Sequence, residues 1–294
     1  MKRFFVFLFV FAILISFAAC AGRTADKESE KPKAYPDYNR QMLNKQMEKR
    51  IKGNLTELPD YNEQMEKNID VAVVGEFGTN CWLYAIEDTP DASGKRPCIV
   101  IDPGDEGGVI ASRLEELNWT PIYIFLTHGH FDHLAGLPDL LEVLKKDGGA
   151  SPLPKIGIHR SDSQYLGKKA LTAHRDTFTA DGGSSAYVDA LWKPLPDADI
   201  ILEDGGTTGP FKVLHLPGHT PGSVSLYDEK NGILFSGDTL FKNGYGRTDL
   251  PGGDWDQLCE SLKRLLSLNG DIVVYPGHGF ATTIKEEAVR LGLK

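Results

Sequence analysis

The densest group of side chains that could perform chemistry is the segment 127–133, which reads Thr-His-Gly-His-Phe-Asp-His. It directly follows the apolar run PIYIFL, which is typical of a strand buried on both faces. Because side chains two positions apart on an extended chain point the same way, His128 and His130 can bind one ion together. Asp132 and His133 come where the chain turns into the next helix, and this position suits a second ion nearby.

Three further residues of ligand type stand singly at the ends of apolar strands: His219 after VLHLPG, Asp238 after ILFSG and His278 after IVVYPG. The Pro-Gly or Ser-Gly pair before each one predicts a sharp turn that leaves the polar side chain at the edge of a sheet. Seven residues of these types in this pattern predict one metal centre rather than seven unrelated structural side chains.

Such a centre would perform hydrolysis. Two divalent ions roughly 3.5 to 4 Å apart can share a water, lower its pKa towards neutrality and present hydroxide to a carbonyl that they also polarise. No serine or cysteine nucleophile is then required. Asp132 is the predicted catalytic residue, because a carboxylate beside the bridging hydroxide can orient it and later carry its proton.

Asp102, in VIDPGD, also follows an apolar strand but lies outside this set. Two interpretations fit it equally: it hydrogen-bonds a metal-bound imidazole, or it caps a buried turn. The remaining histidines are His159, His174 and His215, at strand-end, helix-surface and strand-face positions respectively. We expect structural roles for all three.

Short strands and helices must position these residues. IDVAVVGEF, NCWLYAIED and PCIVIDPGD read as three strands in quick succession, which implies a meander. Residues 106–118 read as a helix with one apolar face, and a second helix is expected around 137–146, before the strand KIGIH. The stretch 161–208, rich in Gly, Asp and Ala, is predicted to be irregular and to form a lid or a substrate-facing insertion.

The second half repeats this rhythm. FKVLHLPGH, SVSLYDE and GILFSGD read as strands, a helix follows over 254–268, and DIVVYPGHG reads as the last strand. Strands bunched at the start of each half, with helices after them, predict an α/β domain in which two packed β-sheets are covered by helices.

The motifs HGHFDH, PGHTPG, SGDTLF and PGHG resemble those of the metallo-β-lactamase superfamily, over about residues 70 to 290. The resemblance implies the αββα sandwich, in which two packed mixed β-sheets are flanked by helices. It also implies the ligands, which are His128, His130 and His219 for the first metal, Asp132, His133 and His278 for the second, and Asp238 as the bridge. Zinc is the first expectation and iron or manganese the alternatives, since imidazole and carboxylate accept all three.

Within that superfamily the chain is most similar to the glyoxalase II-like branch. β-Lactamases of this fold usually carry Cys or Ser where this chain has Asp238, and GRTDLPGGD at 246–254 is similar to bacterial hydroxyacylglutathione hydrolase relatives. Only sixteen residues follow His278, so the chain resembles the short bacterial form without the helical domain that grips glutathione. The resemblance implies hydrolysis of a thioester, or of a related ester or lactone. A thiolate leaves readily near its pKa of about 8.5.

Four other readings compete with this one. An iron-dependent persulfide dioxygenase resembles the pattern down to GRTD and would use His128, His219 and Asp238 as a two-histidine, one-carboxylate triad. A β-lactamase-type amide hydrolase is a further alternative. A nuclease is disfavoured, because the formal charge of −9 repels nucleic acid. A non-enzymatic metal-binding protein would lack a ligand, and none is missing.

The N-terminus is predicted to be an export signal over 1–19, with Lys2 and Arg3 before a run without charge and two alanines before Cys20. This arrangement resembles a bacterial lipoprotein box, so Cys20 is expected to carry a lipid that anchors the protein to a membrane, facing the periplasm or the cell exterior. Residues 20–68 are predicted to form a polar tether with one or two short helices, and 69–294 the hydrolase domain.

Three thiols remain if Cys20 is acylated, and this odd number cannot complete a disulfide framework. Cys81, Cys98 and Cys259 are therefore predicted to be small buried hydrophobic residues. The expected partners are a small-molecule substrate and the membrane, not nucleic acid, and the sequence leaves the oligomeric state open.

Overall fold

The computed structural model of the protein describes residues 45–53, 67–86, 90, 94–146, 152–180 and 182–292. These residues form two six-stranded mixed β-sheets and a two-stranded ribbon. Helices cover the outer face of each sheet. The αββα sandwich predicted from the sequence is confirmed.

The first sheet starts as the predicted antiparallel meander of β1 (Ile69–Val74), β2 (Thr79–Ala85) and β3 (Arg96–Ile101). From β3 onward the strands pair in parallel, because helical crossovers return the chain to the same end of the sheet. The remaining elements of this half are α1 (Gly107–Leu117), β4 (Trp119–Phe125), α2 (Leu137–Lys146), β5 (Lys155–His159), α3 (Ala170–Thr179), α4 (Ala186–Leu191) and β6 (Ile200–Leu202).

The second sheet places three strand ends at one edge. Its elements are β7 (Thr207–Thr208), β8 (Phe211–His215), β9 (Val224–Asp228), β10 (Ile233–Gly237), the ribbon β11 (Leu240–Phe241) and β12 (Gly244–Tyr245), α5 (Trp255–Leu266), β13 (Val273–Pro276), β14 (Thr282–Thr283) and α6 (Ile284–Arg290). β8, β9 and β10 are antiparallel neighbours, and β13 pairs with β10 in parallel. β8, β10 and β13 therefore run in the same direction.

The core between the sheets is aromatic, and its polar atoms are paired. Along β2, Trp82 and Tyr84 face the opposite sheet, while Leu83 between them faces the helices. The Trp82 indole donates a hydrogen bond to the carbonyl of Pro276 (2.9 Å), and the Tyr84 hydroxyl donates one to Asp228 Oδ2 (2.7 Å). Both bonds join the first sheet to the second, so burying these large residues leaves neither polar atom unpaired.

The sequence predicts an irregular stretch over 161–208, and this prediction is wrong, because the stretch contains α3, α4 and β6. His174 lies buried in α3 rather than on a helix surface, and its Nε2–H donates to the carbonyl of Tyr165 (2.9 Å). Burial lowers the pKa of His174 to about 4, so the ring stays neutral among its aromatic neighbours Phe131 and Trp192. Scattered aromatic contacts hold these helices, which is why no regular apolar stripe reveals them. The lid role stays a prediction.

The three cysteines and the two other histidines outside the predicted ligand set lie in packed positions. Among the described residues, Cys81, Cys98 and Cys259 form no disulfide bond, and all three are buried, as predicted. The rings of His159 and His215 stack on each other, with centroids 3.9 Å apart and planes 13° apart. This stack joins the ends of β5 and β8, one from each sheet.

Part of the predicted tether packs against the domain. Residues 45–53 form a helical segment whose Ile51 is fully buried in the core between the sheets. Glu48 Oε1 accepts a hydrogen bond from the backbone N–H of Val73 (3.1 Å) on β1, which is an edge strand. The segment therefore closes the sandwich at this edge and satisfies a backbone group that edge strands leave open.

The predicted signal sequence and Cys20 lie outside the described residues. Across the residues that are described, no helix combines the length and the apolar character needed to cross a membrane.

Truncating Ile51 tests whether 45–53 belongs to the folded domain. Ile51→Ala should lower the free energy of unfolding by about 2–5 kcal/mol, because it leaves a cavity between the sheets. Lys49→Ala, at an exposed position of the same segment, should change it by less than about 0.5 kcal/mol. Urea denaturation of the three proteins measures both values. Equal midpoints for wild type and Ile51→Ala would mean that the segment is only a spacer.

Candidate metal centre

The seven predicted ligands follow the carboxyl ends of strands, and they lie together along one rim of the sandwich, where strands of both sheets end. β4 leads into His128 and His130, and the 3₁₀ turn Phe131–His133 follows at once. His219, Asp238 and His278 follow β8, β10 and β13. Because these three strands run in the same direction, their carboxyl ends lie at the same edge of the second sheet.

One group consists of three converging imidazoles. The ring centroid of His128 lies 4.8 Å from those of His130 and His219, and the centroids of His130 and His219 are 4.5 Å apart. Their ligand atoms lie within 4.8 Å of one another. This spacing lets one cation contact all three rings.

The second group lies next to the first and shares a carboxylate with it. His133 Nε2 is 3.2 Å from His278 Nε2, which is 3.4 Å from Asp132 Oδ2. Asp238 stands between the groups, with Oδ1 3.4 Å from His133 Nε2 and Oδ2 3.7 Å from His219 Nε2. The structure thus brings all seven sequence-predicted residues together.

Buried atoms without partners show that the residues fit a metal. Among the described residues, Nε2 of His128, His130 and His219 is buried and has no hydrogen-bond partner. Leaving one such atom unpaired costs about 1–3 kcal/mol, and here three lie together. Imidazole nitrogen with carboxylate oxygen is a donor set that zinc, iron and manganese all accept. The clusters therefore suit divalent cations, and they do not distinguish among these metals.

The electrostatics favour positive charge at the centre. Burial lowers the pKa of His128 and His130 well below the ordinary value, so both rings are neutral, which is the form that binds metal. Burial also lowers the pKa of His133, but carboxylates led by Asp238 and Asp132 outweigh this and raise it well above the ordinary value. A site that holds a proton this strongly is one where a cation is stabilised.

Asp102 supports the segment that carries the first ligands. Its Oδ2 accepts a hydrogen bond from His133 Nδ1 (3.0 Å), and its Oδ1 accepts one from the backbone N–H of Thr127 (2.8 Å). The backbone of Asp102 is left-handed, with φ of 53°, a conformation that costs most residues about 1–2 kcal/mol. Of the two interpretations, the one in which Asp102 orients an imidazole has the hydrogen bond that it requires.

The stretch 246–254 holds His219 from the other side. His219 Nδ1 donates a hydrogen bond to the carbonyl of Arg247 (2.7 Å), which leaves Nε2 free to bind metal. At Gly246, a Cβ atom would lie 2.1 Å from the carbonyl oxygen of Asp238, so a larger residue does not fit. The motif GRTD therefore orients His219 through a hydrogen bond and packs closely against the backbone of Asp238.

Asn80 holds the turn that contains His278 through hydrogen bonds, and the sequence gives no sign of this role. Asn80 on β2 donates its backbone N–H to the carbonyl of Gly277 (2.7 Å). Its side-chain amide donates to the carbonyls of Pro276 (3.0 Å) and Gly279 (2.9 Å). The first sheet thereby fixes a ligand of the second sheet. No local pattern reveals this role, because the partners are distant in sequence.

Asp162 is a second residue that the sequence analysis missed. It is fully buried and accepts a hydrogen bond from the backbone N–H of Gly129, between two ligands. A signal was available, because Asp162 comes shortly after the apolar strand KIGIH. The same pattern singles out Asp102.

The family profile described as the metallo-beta-lactamase superfamily matches residues 74–278 of the chain. The hydroxyacylglutathione hydrolase GloC of Haemophilus influenzae is 34% identical over 221 residues, which are 75% of this chain and 94% of that protein.

Two solved structures are similar to this one over 76% of the chain. A di-iron-bound form of TTHA1623 has a TM-score of 0.59 and 34% identity, and 99% of its own chain is covered. ETHE1 from Myxococcus xanthus has a TM-score of 0.54 and 25% identity, with 83% of its chain covered.

Gly277 offers a test of the ligand geometry that leaves every ligand in place. An added Cβ would lie 2.2 Å from Asp238 Oδ1 and 2.7 Å from His133 Cε1, so Gly277→Ala should force these ligands apart. We expect metal affinity to fall about 10–100-fold, with circular dichroism unchanged. Gly108→Ala is the control, because nothing lies within 4 Å of its added Cβ. Wild-type metal content in Gly277→Ala, measured by elemental analysis, would contradict the arrangement.

Proposed function

The chain belongs to the metallo-β-lactamase superfamily, and we propose that it hydrolyses a thioester, or a related ester or lactone, of a small molecule. The observation that carries the proposal is the position of Asp238. Its Oδ2 lies 3.7 Å from His219 Nε2 and 3.5 Å from His278 Nε2, so one carboxylate faces both ligand groups. A carboxylate placed in this way can bridge two cations.

The ligand assignment follows the two groups. His128, His130 and His219 would hold the first metal, Asp132, His133 and His278 would hold the second, and Asp238 lies between the two groups. Divalent cations held there would polarise the substrate carbonyl and lower the pKa of a water at neutral pH. Zinc is the first metal that we propose, with iron and manganese as alternatives. The di-iron-bound form of TTHA1623 supports iron as a realistic alternative.

Asp132 is the residue that we propose moves the proton. Burial raises its pKa, but His133 and His278 outweigh this and hold the pKa below the ordinary value, so the side chain is a carboxylate at neutral pH. Its side chain is 18% exposed, against 10% for Asp238, and it is therefore the more open of the two towards a substrate. The Asp132 carboxylate can orient the attacking water and accept its proton, which then passes to the thiolate only after it has departed, or to solvent.

The leaving group favours a thioester. A thiol has a pKa of about 8.5, so the thiolate is stable enough to depart without a proton, whereas an amide nitrogen needs a proton delivered to it. The similarity to GloC further supports the glyoxalase II-like branch.

A persulfide dioxygenase is the second candidate, and the similarity to ETHE1 favours it. His128, His219 and Asp238 would then hold a single iron. This reading assigns no metal to Asp132, His133 and His278, whose ligand atoms lie within 4.8 Å of one another. The compact second group is why we favour the two-metal hydrolase.

A substrate panel with the purified protein decides between the two candidates. We expect hydrolysis of S-lactoylglutathione, another thioester or a lactone, with little turnover of a cephalosporin and no oxygen consumption with a persulfide. A chelator, or His130→Ala or Asp238→Asn, should reduce turnover to the background rate, because each removes the metals or one of their ligands.

The control is Asp256→Asn, at an exposed position of α5, which should keep wild-type turnover. If Asp238→Asn kept full turnover, the two-metal mechanism would be wrong. Oxygen uptake with a persulfide, without thioester hydrolysis, would favour the dioxygenase.

We also propose that the protein is exported and anchored to a membrane by a lipid on Cys20. The charge-free run after Lys2 and Arg3 supports this, as do Ala18 and Ala19 before the cysteine. Cys20→Ala in the full chain should move the protein from the membrane fraction to the supernatant, because one thiol carries the anchor.

The control for the anchor is Cys259→Ala, which removes a thiol buried in α5 and should leave the protein in the membrane fraction. Immunoblots of the two fractions measure the distribution. An unchanged membrane fraction in Cys20→Ala would refute the anchor.

A further inference from the structure

Asp162 forms a hydrogen-bonded junction beside the first ligand group. It lies in the 3₁₀ turn Arg160–Tyr165 after β5 and is fully buried. Its Oδ2 accepts hydrogen bonds from the backbone N–H of Gly129 (2.8 Å) and the hydroxyl of Thr220 (2.7 Å). Its Oδ1 accepts one from the backbone N–H of Gly222 (2.7 Å). One carboxylate thus joins a segment of the first sheet to a segment of the second.

The turn that contains Asp162 can pack this closely against the ligand segments because two glycines lie at the contact. A Cβ on Gly129 would lie 2.0 Å from Tyr165 Cδ2, in the same turn as Asp162. A Cβ on Gly222 would lie 2.5 Å from Asp162 Cγ. Glycine therefore stands between the first two histidine ligands, and shortly after the third, because the turn packs directly against the backbone there.

We propose that Asp162 is a positioning residue for the first metal, because it ties the segment of His128 and His130 to the segment of His219. The inference rests on the metal-binding part of the proposed function. Its hydrogen bonds go to Gly129, Thr220 and Gly222, and each of these is within three residues of a first-metal ligand.

A different buried aspartate, Asp102, bonds directly to a ligand of the second group, although it also bonds Thr127 beside His128. Asp102 accepts the hydrogen bond of His133 Nδ1, and Asp162 makes no such bond to the second group. Replacing Asp162 with asparagine conserves its shape but turns one acceptor oxygen into an NH₂ group. That group would face a backbone N–H, of Gly129 or of Gly222, and one of the two bonds would be lost. The loss should spread the first ligand group and leave the second intact.

Zinc affinity in two backgrounds tests this assignment. In full-length His278→Ala, which retains the first ligand group, Asp162→Asn should raise the Kd for Zn²⁺ about 10–100-fold. In His219→Ala, which retains the second, the same substitution should change the Kd by less than about twofold. Competition with a chromophoric chelator measures both values without any substrate. The result is therefore independent of whether the protein hydrolyses a thioester.

Conservative variants separate positioning from general damage. Thr220→Val removes one of the three hydrogen bonds that Asp162 accepts, and it should lower the Zn²⁺ affinity in the His278→Ala background. Thr220→Ser keeps the hydroxyl and should retain the affinity. Asp228→Asn is the matched control, because Asp228 is a buried acceptor that bonds to Tyr84 and Asn231 instead. It should leave both affinities unchanged. Equal weakening in both backgrounds, or no weakening in either, would overturn the proposal.

Discussion

The structure depends on one electrostatic constraint, which is that carboxylates and imidazoles crowd together at a rim that water reaches poorly. His133 Nε2 alone lies 3.6 Å from Asp132 Oδ2 and 3.4 Å from Asp238 Oδ1. Buried carboxylates are costly unless they are paired or bound to metal. The rest of the fold therefore has to hold these groups at a fixed spacing around positive charge. Binding of a metal at this rim would be coupled to folding, because the unfolded chain has no such site.

Hydrogen bonds behind the ligands hold this spacing, and they come from separate elements. Asp102 follows β3 and orients His133, the Arg247 carbonyl follows the ribbon and orients His219, and Asn80 of β2 fixes the turn of His278. Each support uses an atom that does not bind metal. The supporting bonds to His133 and His219 go to Nδ1, so with a metal bound each ring would present Nε2 in the matching tautomer.

The sequence was sufficient for the parts of the fold that local chemistry determines. Polar residues at the ends of apolar strands predicted which side chains converge, because parallel strand ends must lie together. Asn80 could not be found in this way, since its partners lie almost two hundred positions away in the chain. The helices of 161–208 escaped because aromatic contacts replace a regular apolar face. A short helix was expected in the tether, but the packing of 45–53 against the domain escaped, because only two of its side chains, Met47 and Ile51, are apolar.

The ligands are divided between the two sheets, four from the segment after β4 and three from the ends of β8, β10 and β13. A cation bound by both sets would act as a cross-link over an interface that is otherwise held by side-chain packing and by hydrogen bonds such as those of Trp82 and Tyr84. At a free metal concentration a thousand times the Kd, such a link adds about 4 kcal/mol to stability. If one sheet shifted relative to the other by a fraction of an ångström, the first effect would be a lower affinity for the cation. Metal affinity would therefore report how well the two sheets are packed against each other.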